Sequence, residues 1–155
     1  MVRKAVWIVL GFACFGFVVT AGIMPLKVSA EDARLVIQVS SETQEGVKAE
    51  MVDILLALQT IVNKTLEGDG STIAEAIKPF TTSGVRGHPE IAMFLSNYPD
   101  MFTAWRQMGR NGMHATFDRI ESLASIQPLD KEAMLEETGA LLGYCYGCHM
   151  TFTLP

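Results

Sequence analysis

Histidine and cysteine are scarce in this chain of 155 residues, three of each, and tryptophan occurs only twice. So few ligating side chains leave room for one small metal or cofactor site and exclude a protein built around several. Positive charge is also short. With 12 Lys and Arg against 17 Asp and Glu, and a net charge of −5, the chain offers no basic surface for nucleic acid or anionic lipid. There is no glycine-rich phosphate loop, internal repeat or low-complexity tract, and no alternating stretch long enough for a convincing strand. No nucleophile with a base at a telling spacing is found either, so an enzyme is not expected.

Apolar residues, by contrast, make up 49% of the chain, enough for one domain with a real core. Some of that material is set apart at the start. Arg3 and Lys4 precede an apolar run from Ala5 to Met24, and Val28-Ser29-Ala30 then supplies the small residues that signal peptidase accepts. This reads as an export signal over residues 1–30, cleaved before Glu31, with residues 31–155 as the mature domain. The competing reading is a retained anchor, since about 20 apolar residues span a bilayer. Cys14 follows Gly11-Phe12-Ala13, a poor lipoprotein box, and is read as part of the signal. Export bears on the other two cysteines. Outside the cytoplasm a lone pair is expected to be a disulfide, a cofactor or metal site, or a redox pair.

The mature chain reads as helix after helix. Residues 33–40 form an irregular arm. Ser41 with Gln44 fits a capping box, and Val47, Met51, Ile54, Leu55, Leu58, Ile61 and Val62 recur at steps of three and four, so a first helix is expected over 42–67, stopped by Gly68-Asp69-Gly70. Thr72 with Glu75 opens a second helix that Pro79 ends. Residues 81–89 read as a loop and 90–97 as a short helix. Met101, Phe102, Trp105, Met108, Phe117, Ile120 and Leu123 then mark a third long helix over 100–126, weakened at Gly109 and Gly112. Asp130 caps the last, with Met134, Leu135, Thr138, Leu141, Leu142 and Cys145 on its apolar face. Four amphipathic segments joined by short turns predict an all-α fold, an antiparallel four-helix bundle.

The last helix runs into Cys145-Tyr146-Gly147-Cys148-His149. This C-x-x-C-H spacing is that of c-type haem attachment, because two thiols three apart reach the two vinyl groups of one porphyrin while the next imidazole reaches its iron. On a helix, positions 145, 148 and 149 share a side, so thioethers and imidazole converge. Three other chemistries compete for these residues. A thioredoxin-like dithiol would need a βαβ context and a cysteine at a helix N-terminus, whereas here the pair sits near a helix C-terminus with no strands expected. Zinc would want further ligands, with His88 and His114 the only other histidines. A plain disulfide beside an incidental histidine is the third.

An exported, all-helical chain with this motif on its last helix, and Phe152 three residues after the histidine, resembles the cytochrome c′ family, the class II cytochromes c. The resemblance covers the mature chain in layout, but the haem motif alone is specific. It implies a four-helix bundle with one covalent haem c near the C-terminal end, periplasmic location, homodimers, and either electron transfer with redox partner proteins or binding of small gases such as nitric oxide. It also implies Cys145 and Cys148 as thioether attachments and His149 as the proximal iron ligand. Two positions depart from the family pattern: Thr153 stands where members often carry a basic residue, and Val47 where they often carry an arginine near the haem propionates. By the same resemblance the distal face of the iron is closed from the first helix, where Met51 falls close to the position of a sixth ligand. A His/Met pair raises the reduction potential; the plainer reading of Met51 is core packing in a chain with nine methionines.

His114 is expected partly exposed on a glycine-broken helix and His88 in a loop. Trp105, Phe102 and Phe117 are expected as core or pocket lining, and Glu132, Glu136 and Glu137 as a solvated face. Three functions are therefore carried forward: a one-electron carrier, a five-coordinate gas-binding haem protein, and a haem-free exported helical interaction domain with an oxidised cysteine pair.

Overall fold

The computed structural model describes residues 32–84 and 87–155. The expected export signal, its cleavage point and Cys14 lie outside the described residues. Those residues are mostly helical. In chain order they form β1 (Leu35–Val36), α1 (Ser41–Glu67), α2 (Gly70–Ile77), a 3-10 turn (Lys78–Phe80), α3 (Pro89–Leu95) and α4 (Pro99–Met108), then a π-helical turn (Gly109–His114), α5 (Ala115–Ala124), α6 (Lys131–Thr151) and β2 (Phe152–Thr153).

The irregular arm expected over 33–40 is in part a strand. β1 pairs in parallel with β2, Leu35 opposite Phe152 and Val36 opposite Thr153, and the Ile37 amide donates to the Thr153 carbonyl at 2.8 Å. Two residues are too few to show a period, and the partner lies at the far end of the sequence.

Two caps also differ from expectation. α1 is capped by Ser40 rather than Ser41, its hydroxyl accepting from the Thr43 amide at 3.2 Å. Glu90 of α3 settles the choice, because its carboxylate accepts from both the amide and the hydroxyl of Ser40, at 2.9 and 3.0 Å. α2 is capped by Asp69, which accepts from the amide and hydroxyl of Thr72. Gly70, read as part of a stop, instead begins α2 and lies so close to α5 that a Cβ there would clash with the Ala124 carbonyl. Asp130 caps α6 as expected, through the Ala133 amide at 3.1 Å. Each such cap contributes about 1 kcal/mol.

The helix expected over 100–126 is interrupted at its glycines. From Gly109 to His114 the backbone winds as a π turn. At Gly112 a Cβ would meet the Tyr144 ring at 2.5 Å and the Gln107 carbonyl at 2.8 Å, so only glycine lets this turn press against α6.

α1 packs against α2 and α6, and α5 packs against the same two helices. Between them lies the larger apolar cluster, with Ile54, Ile61, Ile73, Ile77, Phe117, Ile120, Met134 and Leu141 fully buried. Burial of each such side chain stabilises the fold by about 1.5–3 kcal/mol. A second cluster gathers Ile37, Val47, Ile91, Leu95 and Phe152, with Trp105 edge-on to Phe152 at 5.6 Å. Met51 packs against both clusters. The inward stripes are narrower than the apolar patterns: Leu55 and Val62 of α1, and Leu135 and Leu142 of α6, point outward, Leu55 being 64% exposed. A straight helix buries one stripe, and on α1 that stripe follows Val47, Ile54, Leu58, Ile61 and Thr65.

Candidate functional site

At the seam between the two clusters lies a cavity of about 310 Å³. α6 contributes Tyr144, Cys145, Cys148 and His149 to its wall, and α1 contributes Val47, Glu50 and Met51. The remaining wall comes from α4 and the π turn, through Phe102, Trp105, Arg106, Met108, Arg110, Met113 and His114, with His88 and Ala92 near α3. Cys145, Cys148 and His149 of the C-x-x-C-H motif therefore open on one space, together with Met51, which the sequence offered either as a distal donor or as core packing. A space of this size is at the lower end of the range for small-molecule and cofactor sites.

The cysteines suit a covalent anchor better than a reactive dithiol. Both are free and half-buried. Burial pushes the Cys145 thiol up, and pushes that of Cys148 up to about 11, with the neighbouring Cys145 adding to the rise. They lie toward the C-terminal end of α6, where the helix dipole disfavours thiolate, so both are neutral near pH 7, the reverse of a redox-active pair. Zinc is also poorly served: among the described residues no three His, Cys, Asp or Glu side chains converge into a set that could hold a metal ion. Haem asks for less, two thiols and one imidazole beside an apolar space, and these residues fit it.

His149 is exposed at the cavity edge, and its carbonyl accepts from the Arg34 guanidinium at 3.3 Å. Thr153 had left the motif without a nearby cation. Arg34, just before β1, is such a cation, and it is paired with Asp32 at 2.5 Å.

Two histidines stand differently from expectation. His88 is not an idle loop residue: its Nε2 lies 2.5 Å from Glu50 Oε2, and both side chains line the cavity. The shared hydrogen bond holds Glu50 below its ordinary value of 4.5 and raises His88 above 6.5, burial opposing both shifts. The pair is thus complete between those two values. Its contribution is lost upward as His88 deprotonates through its raised pKa, and downward as Glu50 protonates through its depressed one. Replacing His88 with alanine is expected to cost about 1 kcal/mol near pH ~5.5 and clearly less near pH ~9, read from urea midpoints at each pH. An equal loss at both would show that the ion pair does not contribute. No sequence signal pointed to this pair; Glu50 was one polar position among several on α1.

His114, expected partly exposed, is 8% exposed, its ring held by the Phe80 carbonyl. The segment just after the 3-10 turn that carries Phe80 is tied to α5, because Asp118 accepts from the Thr82 amide at 2.9 Å and from the Thr82 hydroxyl at 2.7 Å. Phe102 and Trp105 line the cavity, whereas Phe117 is core, 5.4 Å from Phe80.

No family model matches the chain, and no curated protein or solved structure matches it.

Proposed function

We propose that the protein is an exported c-type cytochrome, carrying one haem joined covalently to Cys145 and Cys148 with His149 as an axial ligand, and that it transfers single electrons in the periplasm. The observation that carries this reading is the convergence of both neutral thiols and His149 on one largely apolar cavity. The helices complete the resemblance to the cytochrome c′ family when α1, α2, α4 with α5, and α6 are read as an antiparallel four-helix bundle.

A haem held there supplies one-electron chemistry at its iron. The chain's own residues do the rest. Phe102, Trp105, Met108 and Met113 keep water from the site, which favours the less charged form of a buried redox centre. Arg106 and Arg110, at the cavity wall, are the cations placed to meet propionate charge where Val47 cannot. Met51, the candidate for the sixth position from the sequence, lines the cavity too. The partners of this reading are redox proteins and a second copy of the chain, for which the exposed Val52, Leu55, Leu56 and Leu66 of α1 are the available apolar surface.

The test is a visible spectrum of the protein after export alongside a haem-attachment system. A haem signature that survives denaturation, with low-spin bands in the native protein, is expected. A high-spin spectrum that shifts with carbon monoxide would replace electron transfer by gas binding, and the absence of any haem spectrum would leave the haem-free helical interaction domain.

A further inference from the structure

His114 is the buried polar group that electron transfer at Cys145, Cys148 and His149 leaves unexplained. Its Nδ1 lies 2.7 Å from the Phe80 carbonyl oxygen. A carbonyl only accepts, so the ring proton is on Nδ1, and in the neutral ring the lone pair is on Nε2. Nε2 makes no hydrogen bond to any described residue. It is not sealed either, because the one sealed side-chain polar atom without a partner among the described residues is Thr65 Oγ1. Nε2 therefore opens on the cavity that the ring lines.

An imidazole anchored through one nitrogen to a backbone carbonyl, with the other left free, is the arrangement by which proteins aim histidine at a metal. The backbone agrees. His114 ends the π turn, and the extra residue that such a turn inserts re-aims the side chains that follow; π turns concentrate at functional sites for this reason. Gly112 allows the turn to press on Tyr144, the residue before Cys145.

We propose that His114, and not Met51, is the second axial ligand of the haem iron. This rests on the haem reading above and decides what stands opposite His149. Met51 packs against both apolar clusters, and a thioether in that setting is satisfied by contact alone. An imidazole nine-tenths buried, whose Nε2 hydrogen-bonds to no described residue, keeps a nitrogen donor turned to the cavity. Coordination by iron would take up that donor. Two neutral nitrogens also set a lower potential than a nitrogen and a thioether, and they close the distal face to gases.

The haem-loaded protein, first shown to retain haem through denaturation, is examined by electron paramagnetic resonance and near-infrared magnetic circular dichroism. Low-spin iron with two nitrogen axial ligands and no methionine-to-iron charge-transfer band is the expected result. His114→Ala should convert it to high spin, free imidazole should restore low spin, and Met51→Leu should leave the spectrum unchanged. A methionine band or high-spin iron in the unaltered protein overturns the proposal, as does an unchanged spectrum in His114→Ala. Because the unaltered protein alone gives the ligand set, a misfolded variant does not blunt the test. Failure to retain haem would take down the haem reading itself, whereas haem with a methionine band takes down only the role of His114.

Discussion

A chain in which Cys145 and Cys148 are both replaced by serine is expected to fold and to carry no haem through denaturation, a complete loss of the covalent signal. Either single replacement should leave a weaker one, since one thioether remains. The fold survives because neither thiol is fully buried. Cys145 is half-buried, and Cys148 packs only at the edge of the second cluster, so lost burial costs about 1 kcal/mol or less for each. Haem staining after denaturing electrophoresis, beside a thermal melt of each variant, reads both halves of the prediction. Persistent staining in the double variant would mean that the attachment lies elsewhere. A related property follows from the raised thiol of Cys148: with its pKa near 11, about one molecule in 10⁴ is thiolate at neutral pH, so alkylation of the haem-free protein should be slow.

The largest effect on stability is expected at Phe117. Its ring is fully buried in the larger cluster and rests against Phe80. Truncation to alanine removes an aromatic side chain from a site walled by rigid helices, where collapse around the gap is incomplete, and should cost about 3–5 kcal/mol. Domains of this class hold about 5–15 kcal/mol in total, so the variant would stand close to unfolding at ambient temperature. A fall in the urea midpoint with an unchanged slope is the result to look for. A loss under about 1 kcal/mol would show that the cluster is not closely packed there. Phe102, which is only partly buried and lines the cavity, should cost less when truncated and change the haem spectrum more.

Much of the helical content and the sharpest part of the site were legible in the sequence, because both are written locally. The C-x-x-C-H spacing, the Asp130 cap and the stripe through Ile54, Leu58 and Ile61 depend on neighbours within one or two turns. What escaped depends on distant partners. Ser40 outcompetes Ser41 as a cap because Glu90 binds it, and β1 exists because Phe152 and Thr153 lie beside it. Leu55 and Leu142 are as apolar as their buried neighbours, and only the number of helices packed around each decides which side meets solvent. His114 shows the same limit at the site. Gly109 and Gly112 signalled a weak helix, but the burial of His114 comes from a π turn that Gly112 lets press on Tyr144 of α6, with the ring held by the distant Phe80 carbonyl.

The contact between Arg34 and the His149 carbonyl joins residues 115 positions apart. Closing a loop of that length costs about 4 kcal/mol in chain entropy, so the two ends meet only after the helices between them have assembled. The β1–β2 pair and the second cluster, in which Cys148 takes part, are on this account the last region to form during folding. On that order of events the thiol of Cys148 would stay uncovered until the clasp closes. On the cytochrome reading, this would leave an interval in which an attaching enzyme could reach it in a nearly finished protein.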